Sequence, residues 1–502
     1  MPDARRCRLG TGDPNWYRGA VRGASVTTQR VAGVGVVVIV LLGLIVQPLA
    51  TAGALLIVGA VVLLVRWPYA ALVLFFALVP FHHLGYEYGT NKLHMHLGPL
   101  VYWKETLLIG LLVRGVQMRA HARGGLRLPG SGADRFLVAY VLVLLMWATM
   151  SPFARPAFTS FIRTAEGPLM VLAITALRPS RRVILQCLAV MLAGAFIMGG
   201  AAVVEQAFKH SFQSWYGFNT DSEVFYSHIL TQTGYRSGSF LGDSLVLGFY
   251  LSGATSMAVG GVLLARGWLR AAAILVFCAC IAGTIATFTR SALVAVPLGV
   301  VITVALALPK STLRAASAGL TVTAVVLVGG LFIASGSQRF SHGGDSTSHF
   351  QELRSAFDQS TQHPLGFGLG TTDYVAHQFN IEGYVGQSVD SVYGDRLVEG
   401  GVVILALDLL ALFSTGYRVA AARVRARRDG DWSGAVLASA ALGAFVAVAA
   451  AGVFLPVQEQ PVTLTCWGSA GLALAMVDRR GDPSARAVRW SGSDDLLTSR
   501  HW

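Results

Sequence analysis

Residues 271–308 read AAAILVFCACIAGTIATFTRSALVAVPLGVVITVALAL, and they decide the fold. One charged residue, Arg290, stands near the middle of an otherwise uncharged stretch. A bilayer core takes about 20 apolar residues per helix. The stretch therefore reads as two spans, 270–288 and 291–308, joined by a tight turn at Arg290. Working outward, similar apolar runs recur along the chain with mostly short polar breaks. The composition agrees: 54% of residues are hydrophobic and only 13% are charged, against about 25% charged in soluble domains. Short alternating segments of a closed barrel, the other way to cross a bilayer, are not seen.

The fold class expected is therefore all-α, a polytopic integral membrane bundle of about 12–14 transmembrane helices with a large external loop containing short helices. Fourteen candidate spans can be marked: 31–48, 51–66, 69–83, 100–114, 135–152, 157–177, 183–203, 241–264, 270–288, 291–308, 315–335, 396–417, 433–455 and 461–477. The second, third and fourth are short, and two of them could be one bent element. The first apolar run follows a polar basic tail and reads as a span rather than a cleavable signal.

The net charge is +13, and its placement says more than its sum. Arginines, with Lys310, gather before 31, at 114–127, 178–182, 266–270, 310–314, 418–428 and 479–480. These breaks alternate along the chain, so one topology puts all of them in the cytoplasm. Residues 1–30 and 478–502 are then cytoplasmic tails, and the loops 84–99, 204–240 and 336–395 lie outside. Lipid and topology account for the basic balance better than nucleic acid does, so no nucleic-acid partner is expected. None of the five cysteines falls in the two long external loops, so no disulfide is expected there. The histidines at 82, 83, 94 and 96 are too loosely spaced for a metal site, and no metal or cofactor is expected.

Loop 336–395 carries most of the candidate chemistry. Ser348 and Gln351 fit a capping box, and Phe350, Leu353 and Phe357 recur at helical spacing. A short amphipathic helix is expected to begin near His349 and end before Pro364. Its N-terminus could receive a phosphate, or the helix could simply lie in the membrane interface. Gly366, Gly368 and Gly370 follow, and would let backbone approach a ligand or another helix closely. Asp390, Ser391, Tyr393, Asp395, Arg396 and Glu399 crowd the entry to the twelfth span, as a site or as interface anchors. Arg236 and Arg290 lie at the same membrane face. A guanidinium can clamp pyrophosphate oxygens bidentately. Within apolar runs, Lys104, Glu105, Arg163 and Glu166 also carry functional suspicion.

Three segments in this order resemble the O-antigen ligase and O-antigen polymerase superfamily of bacterial envelope enzymes. They are RSGSFLGDSLVLGFYL (236–251), TFTRSALVA (287–295), and HPLGFGLGTT (363–372) followed by DSVYGDRLVEGGVV (390–403). The resemblance covers about 235–415. The family's usual histidine falls on Asp390 here, its asparagine on Ser391, and the arginine ahead of its loop helix on His349. The resemblance implies metal-independent glycosyl transfer outside the membrane, from a glycan on undecaprenyl pyrophosphate to a sugar hydroxyl of a glycan or glycolipid acceptor. Beside the resemblance, the residue chemistry makes Arg290 and Arg236 the candidates for the pyrophosphate, with the helix start at His349 assisting, and Asp390 the candidate base, with Tyr393, Glu399 and the three glycines in support. The competing expectations are a lipid-linked oligosaccharide transporter and a non-enzymatic assembly protein.

Overall fold

The computed structural model describes residues 59–94, 102–123, 132–217, 230–231, 234–308, 344–372, 375–376, 379, 391–453 and 460–478. Two compact units divide at residues 61 and 62. Of the first, residues 59–61 are described and are helical. Everything below concerns the second.

Its described part is built of helices, apart from a two-residue antiparallel pair, Leu230–Thr231 with Gly234–Tyr235. In chain order the helices are α1 (Pro68–Lys92), α2 (Trp103–Arg123), α3 (Gly132–Met150), α4 (Ala154–Leu177), α5 (Arg181–Phe208) and the short α6 (His210–Trp215). Then come α7 (Ser244–Leu264), α8 (Trp268–Thr287), α9 (Arg290–Ala307), α10 (Gly344–Gln362), α11 (Val392–Arg428), α12 (Trp432–Ala451) and α13 (460–478). Nine of those described are long and apolar enough to cross a membrane: α1, α3, α4, α5, α7, α8, α9, α11 and α12. Two more expected spans are present as helices. α2 carries too many charges to qualify, and α13, which contains a π-helical turn, Leu464–Gly468, is not among the nine. The expected spans at 31–48 and 315–335 lie outside the described residues.

Edges differ from expectation in several places: α2 runs on to Arg123 and α11 to Arg428, past the expected 114 and 417. α1 runs on to Lys92 instead of ending at 83, because Asn91 donates to Glu87 one turn back and to the carbonyl of Gly217 at 2.6 Å. α10 begins at Gly344, not near His349.

Small residues bring the inner helices together. Gly299 of α9 packs on Gly443 and Ala447 of α12, and Gly443 on Thr303. A side chain at either glycine would overlap the neighbour. Where helices share apolar surroundings, van der Waals packing of small residues drives association. The same contacts fix direction: 299 opposite 447 and 303 opposite 443 make α9 and α12 antiparallel. The start of α9 and the end of α12 therefore share one end of the bundle, where Ala292 and Ala451 join one apolar cluster.

The other end is held by arginines. Arg423 and Arg427 donate to the carbonyls of Leu306 and Ala307 at 2.6 Å, and Arg119 donates to Ala176 at 3.0 Å. The last carbonyls of a helix have no partner within it. These guanidiniums satisfy them and meet the negative end of each helix dipole. Arg418 pairs with the buried Asp134 at 2.8 Å on the same side.

Candidate functional site

The end opposite those arginines carries the polar clusters. The first is built around Glu399 in α11. Both Glu399 and Arg396 are buried, with Arg396 Nη1 2.9 Å from Glu399 Oε2. Ser160 of α4 donates to the same oxygen at 2.8 Å. The other oxygen accepts from the Gly370 N–H at 2.8 Å and from Thr372 Oγ1 at 3.1 Å. A buried carboxylate needs this many partners, since its bare desolvation costs several kcal/mol.

The helix itself is broken beside Glu399. Gly401 has φ 64° and ψ −167°, a conformation essentially reserved for glycine. The break takes the carbonyls of Val398 and Glu399 out of the α-helical ladder. The glycine loop supplies their donors: Phe367 N–H bonds Val398 O and Gly368 N–H bonds Glu399 O, both at 2.9 Å. Gly366, Gly368 and Gly370 all have positive φ, and a Cβ on Gly366 would strike the backbone of Glu399 and Gly400. A Cβ on Gly401 would in turn strike Pro364. Of the two close approaches the glycine spacing allows, ligand or helix, the structure displays the one onto a helix.

Tyr393 lies in the first turn of α11, where Ser391 caps the helix and the Val392 N–H reaches the carbonyl of Gly452, just past α12, at 3.0 Å. The Tyr393 hydroxyl donates to Ala449 O at 2.7 Å. Below it, a cavity of about 90 Å³ opens between α4, α11, α12 and α13, bordered by Arg163, Arg396, Asp408, Thr463 and Trp467. Asp408 is buried and accepts from the Tyr140 hydroxyl of α3 at 2.8 Å. Sequence reasoning missed Asp408. Its signal was present, a lone carboxylate inside the apolar run 402–414, and intramembrane acids are functional suspects by default.

The second cluster joins two of the motif segments. Arg236 Nε donates to Thr287 O, and Nη2 to Thr289 Oγ1, each at 3.0 Å. The Ser237 N–H bonds Ala286 O at 3.1 Å. Thr289 Oγ1 passes the chain on to Ser244 O at the start of α7. Arg236 thus braces the turn that leads into Arg290, the exposed first residue of α9. Segment 235–239 is pinned from behind by Glu205 of α5, also missed in the sequence. Glu205 is wholly buried and accepts from the Tyr235 hydroxyl and the Ser239 N–H, both at 2.6 Å, and from Gln213. Burial beside this carboxylate pushes the Tyr235 phenol far up, so it serves as a donor.

Asp390 lies outside the described residues. His349 falls inside α10, more than a turn past its first residue. This corrects its placement at the helix start: its own backbone N–H is within the helical ladder, and the N-terminal N–H groups belong to 344–347. Lys104 and Glu105 sit in the first turn of α2 as a 3.5 Å pair. His82 accepts from Trp103 Nε1 at 3.0 Å, a packing role.

No protein-family model matches the chain, and no curated protein matches it.

Proposed function

We propose that this protein is a multi-pass enzyme of a bacterial inner membrane that transfers a glycan from undecaprenyl pyrophosphate to a sugar hydroxyl on the outer side. The observation that carries the reading is the Arg236–Thr287–Thr289 linkage. It makes one unit of two segments that the sequence resemblance treats separately. That unit stands at the same end of the bundle as the Tyr393 and Glu399 segment, the third element of the resemblance.

The physics suits an anionic leaving group. Arg290 occupies the first position of α9, the positive end of the helix dipole, where a cation is disfavoured by about 0.3–1 kcal/mol. An anion there would be met by both the guanidinium and the helix N–H groups. In this reading Arg290 receives the pyrophosphate and Arg236 positions it. The acceptor oxygen attacks the anomeric carbon as the pyrophosphate leaves, and Asp390 takes the proton. Residues 1–30 and 478–502 are cytoplasmic, loops 84–99, 204–240 and 336–395 are outside, and 12–14 spans cross the bilayer. No metal or cofactor takes part.

The test is turnover of a purified lipid-linked oligosaccharide by the protein in nanodiscs. Arg290→Ala should lower the rate at least about 100-fold, the scale for loss of one charge-stabilising donor. Unchanged turnover in that variant would sink the assignment. In a deletion strain, one transferred repeat without long chains indicates a polymerase, and loss of all transferred glycan a ligase. The broken α11 and its charged cavity favour a second reading, a transporter, since discontinuous helices build transporter sites. That reading requires lipid-linked repeats to accumulate on the cytoplasmic face of the deletion strain.

A further inference from the structure

The support behind the Arg236 segment comes from α5, a helix outside the stretch 235–415 that carries the resemblance. Tyr235, Ser237, Gly238 and Ser239 all bond to it. The Tyr235 hydroxyl donates to Glu205 at 2.6 Å and the Ser237 hydroxyl to Ala202 O at 2.9 Å. The Gly238 and Ser239 N–H groups reach Glu205 at 3.3 and 2.6 Å. Arg236, between them, sends its guanidinium across to Thr287 and Thr289.

Gln206, the next residue of α5, ties the two sides together. Its Nε2 donates to Ser237 Oγ at 2.8 Å and to Ala286 O at 2.9 Å. The Ser237 N–H donates to the same Ala286 carbonyl at 3.1 Å. The three groups form a closed triangle, one residue from Arg236 on one side and one from Thr287 on the other. A side-chain amide has two N–H donors on one planar group, so a single residue sets the spacing of both chain segments. Two guanidiniums that share one pyrophosphate need such a fixed spacing, since a misplacement of about 1 Å can cost about 100-fold in rate.

We infer that Gln206, backed by Glu205, is a positioning residue that fixes Arg236 and the turn into Arg290 for the transfer step. The inference takes its reaction from the glycosyl-transfer reading. Gln206 acts through the two arginines and not on the substrate.

The test is Gln206→Leu, which keeps the bulk and removes both donations. It orphans no buried group, because Ala286 O keeps the Ser237 N–H and the Ser237 hydroxyl keeps Ala202 O, so the fold should survive. In nanodiscs, kcat on a lipid-linked oligosaccharide should fall at least about tenfold. KM should stay within about twofold, because lipid tail and glycan hold the donor equally in both states. In an Arg236→Ala background the same substitution should cost no more than about twofold, the mark of two residues acting as one unit. Ser237→Ala, which removes an acceptor instead of the donor, should show the same pattern. Hydrogen exchange gives a readout without activity: peptides covering 235–240 and 286–291 should exchange faster in Gln206→Leu, and the peptide holding Asp134 should not. If the wild-type protein turns over no donor, the transfer reading falls by itself and exchange decides whether the clamp exists. Equal loss of kcat in both backgrounds, or unchanged exchange in both peptides, would overturn the inference.

Discussion

At the residue scale, two buried glutamates do similar work at the end of the bundle opposite the arginine caps. Glu205 gathers the 235–239 segment and Glu399 gathers the 366–372 loop, each through two backbone or hydroxyl donors and more. Glu399 differs in having a buried cationic partner. Glu399→Gln leaves the Arg396 charge buried without its counter-charge. Removing one partner of a buried pair typically costs about 3–5 kcal/mol, whereas replacing both with apolar groups is often neutral. Thermal melts in detergent should therefore show a large drop for Glu399→Gln and a partial recovery in Arg396→Met/Glu399→Gln. A double variant no better than the single would show that the carboxylate's role is to hold the glycine loop, not to balance Arg396. The sequence marked Glu399 as part of a polar crowd but not as a hub, because three of its partners are far away in the chain. Asp408 and Glu205 could have been flagged as lone acids in apolar runs, but their partners Tyr140 and Tyr235 are distant in the chain and only the fold shows them.

At the element scale, the break in α11 is the feature that organises the site, and glycine makes it. Gly401 combines a conformation that only glycine adopts cheaply with contact against Pro364. Gly401→Ala adds a Cβ where neither backbone nor neighbour can accept it, at a cost of about 1–3 kcal/mol for the conformation alone. The expected result is release of the 363–372 loop, seen as faster proteolysis there, with the Asp134–Arg418 end unchanged. Gly416→Ala is the control. It lies mid-helix with ordinary space toward Phe445, and should be neutral or stabilise by about 0.5–1 kcal/mol. Equal proteolysis of both variants would mean that the interlock does not hold the loop. Among the described residues the existence of the long helices was legible, since apolar runs of span length have few other solutions. Helix ends were not. α10 starts before its apparent capping box, and α1 continues through a polar stretch because Asn91 finds Gly217, a partner over a hundred residues away. The glycine triplet was legible as a close approach, but its target was not.

At the scale of the whole molecule, the two ends are chemically unlike. One end has arginines capping the last carbonyls of α4 and α9; the other has the Arg236 and Glu399 clusters. Both features follow from sequence alternation, because each span reverses direction and successive loops fall on opposite ends. Lys and Arg near span ends favour the cytoplasmic side, so the arginine end should face inward and the clusters outward. Single cysteines can decide this in a background where Cys7 and Cys278 are alanine. Trp215 and Val453 are exposed near the cluster end, and Asp429 is exposed at the arginine end. A membrane-impermeant maleimide added to intact spheroplasts should label Trp215→Cys and Val453→Cys at once, and Asp429→Cys only after permeabilisation. The reverse pattern would place Arg290 inside the cell, away from any outward-facing acceptor. The proposed chemistry would then fail, because the transfer depends on which compartment the Arg290 end opens to.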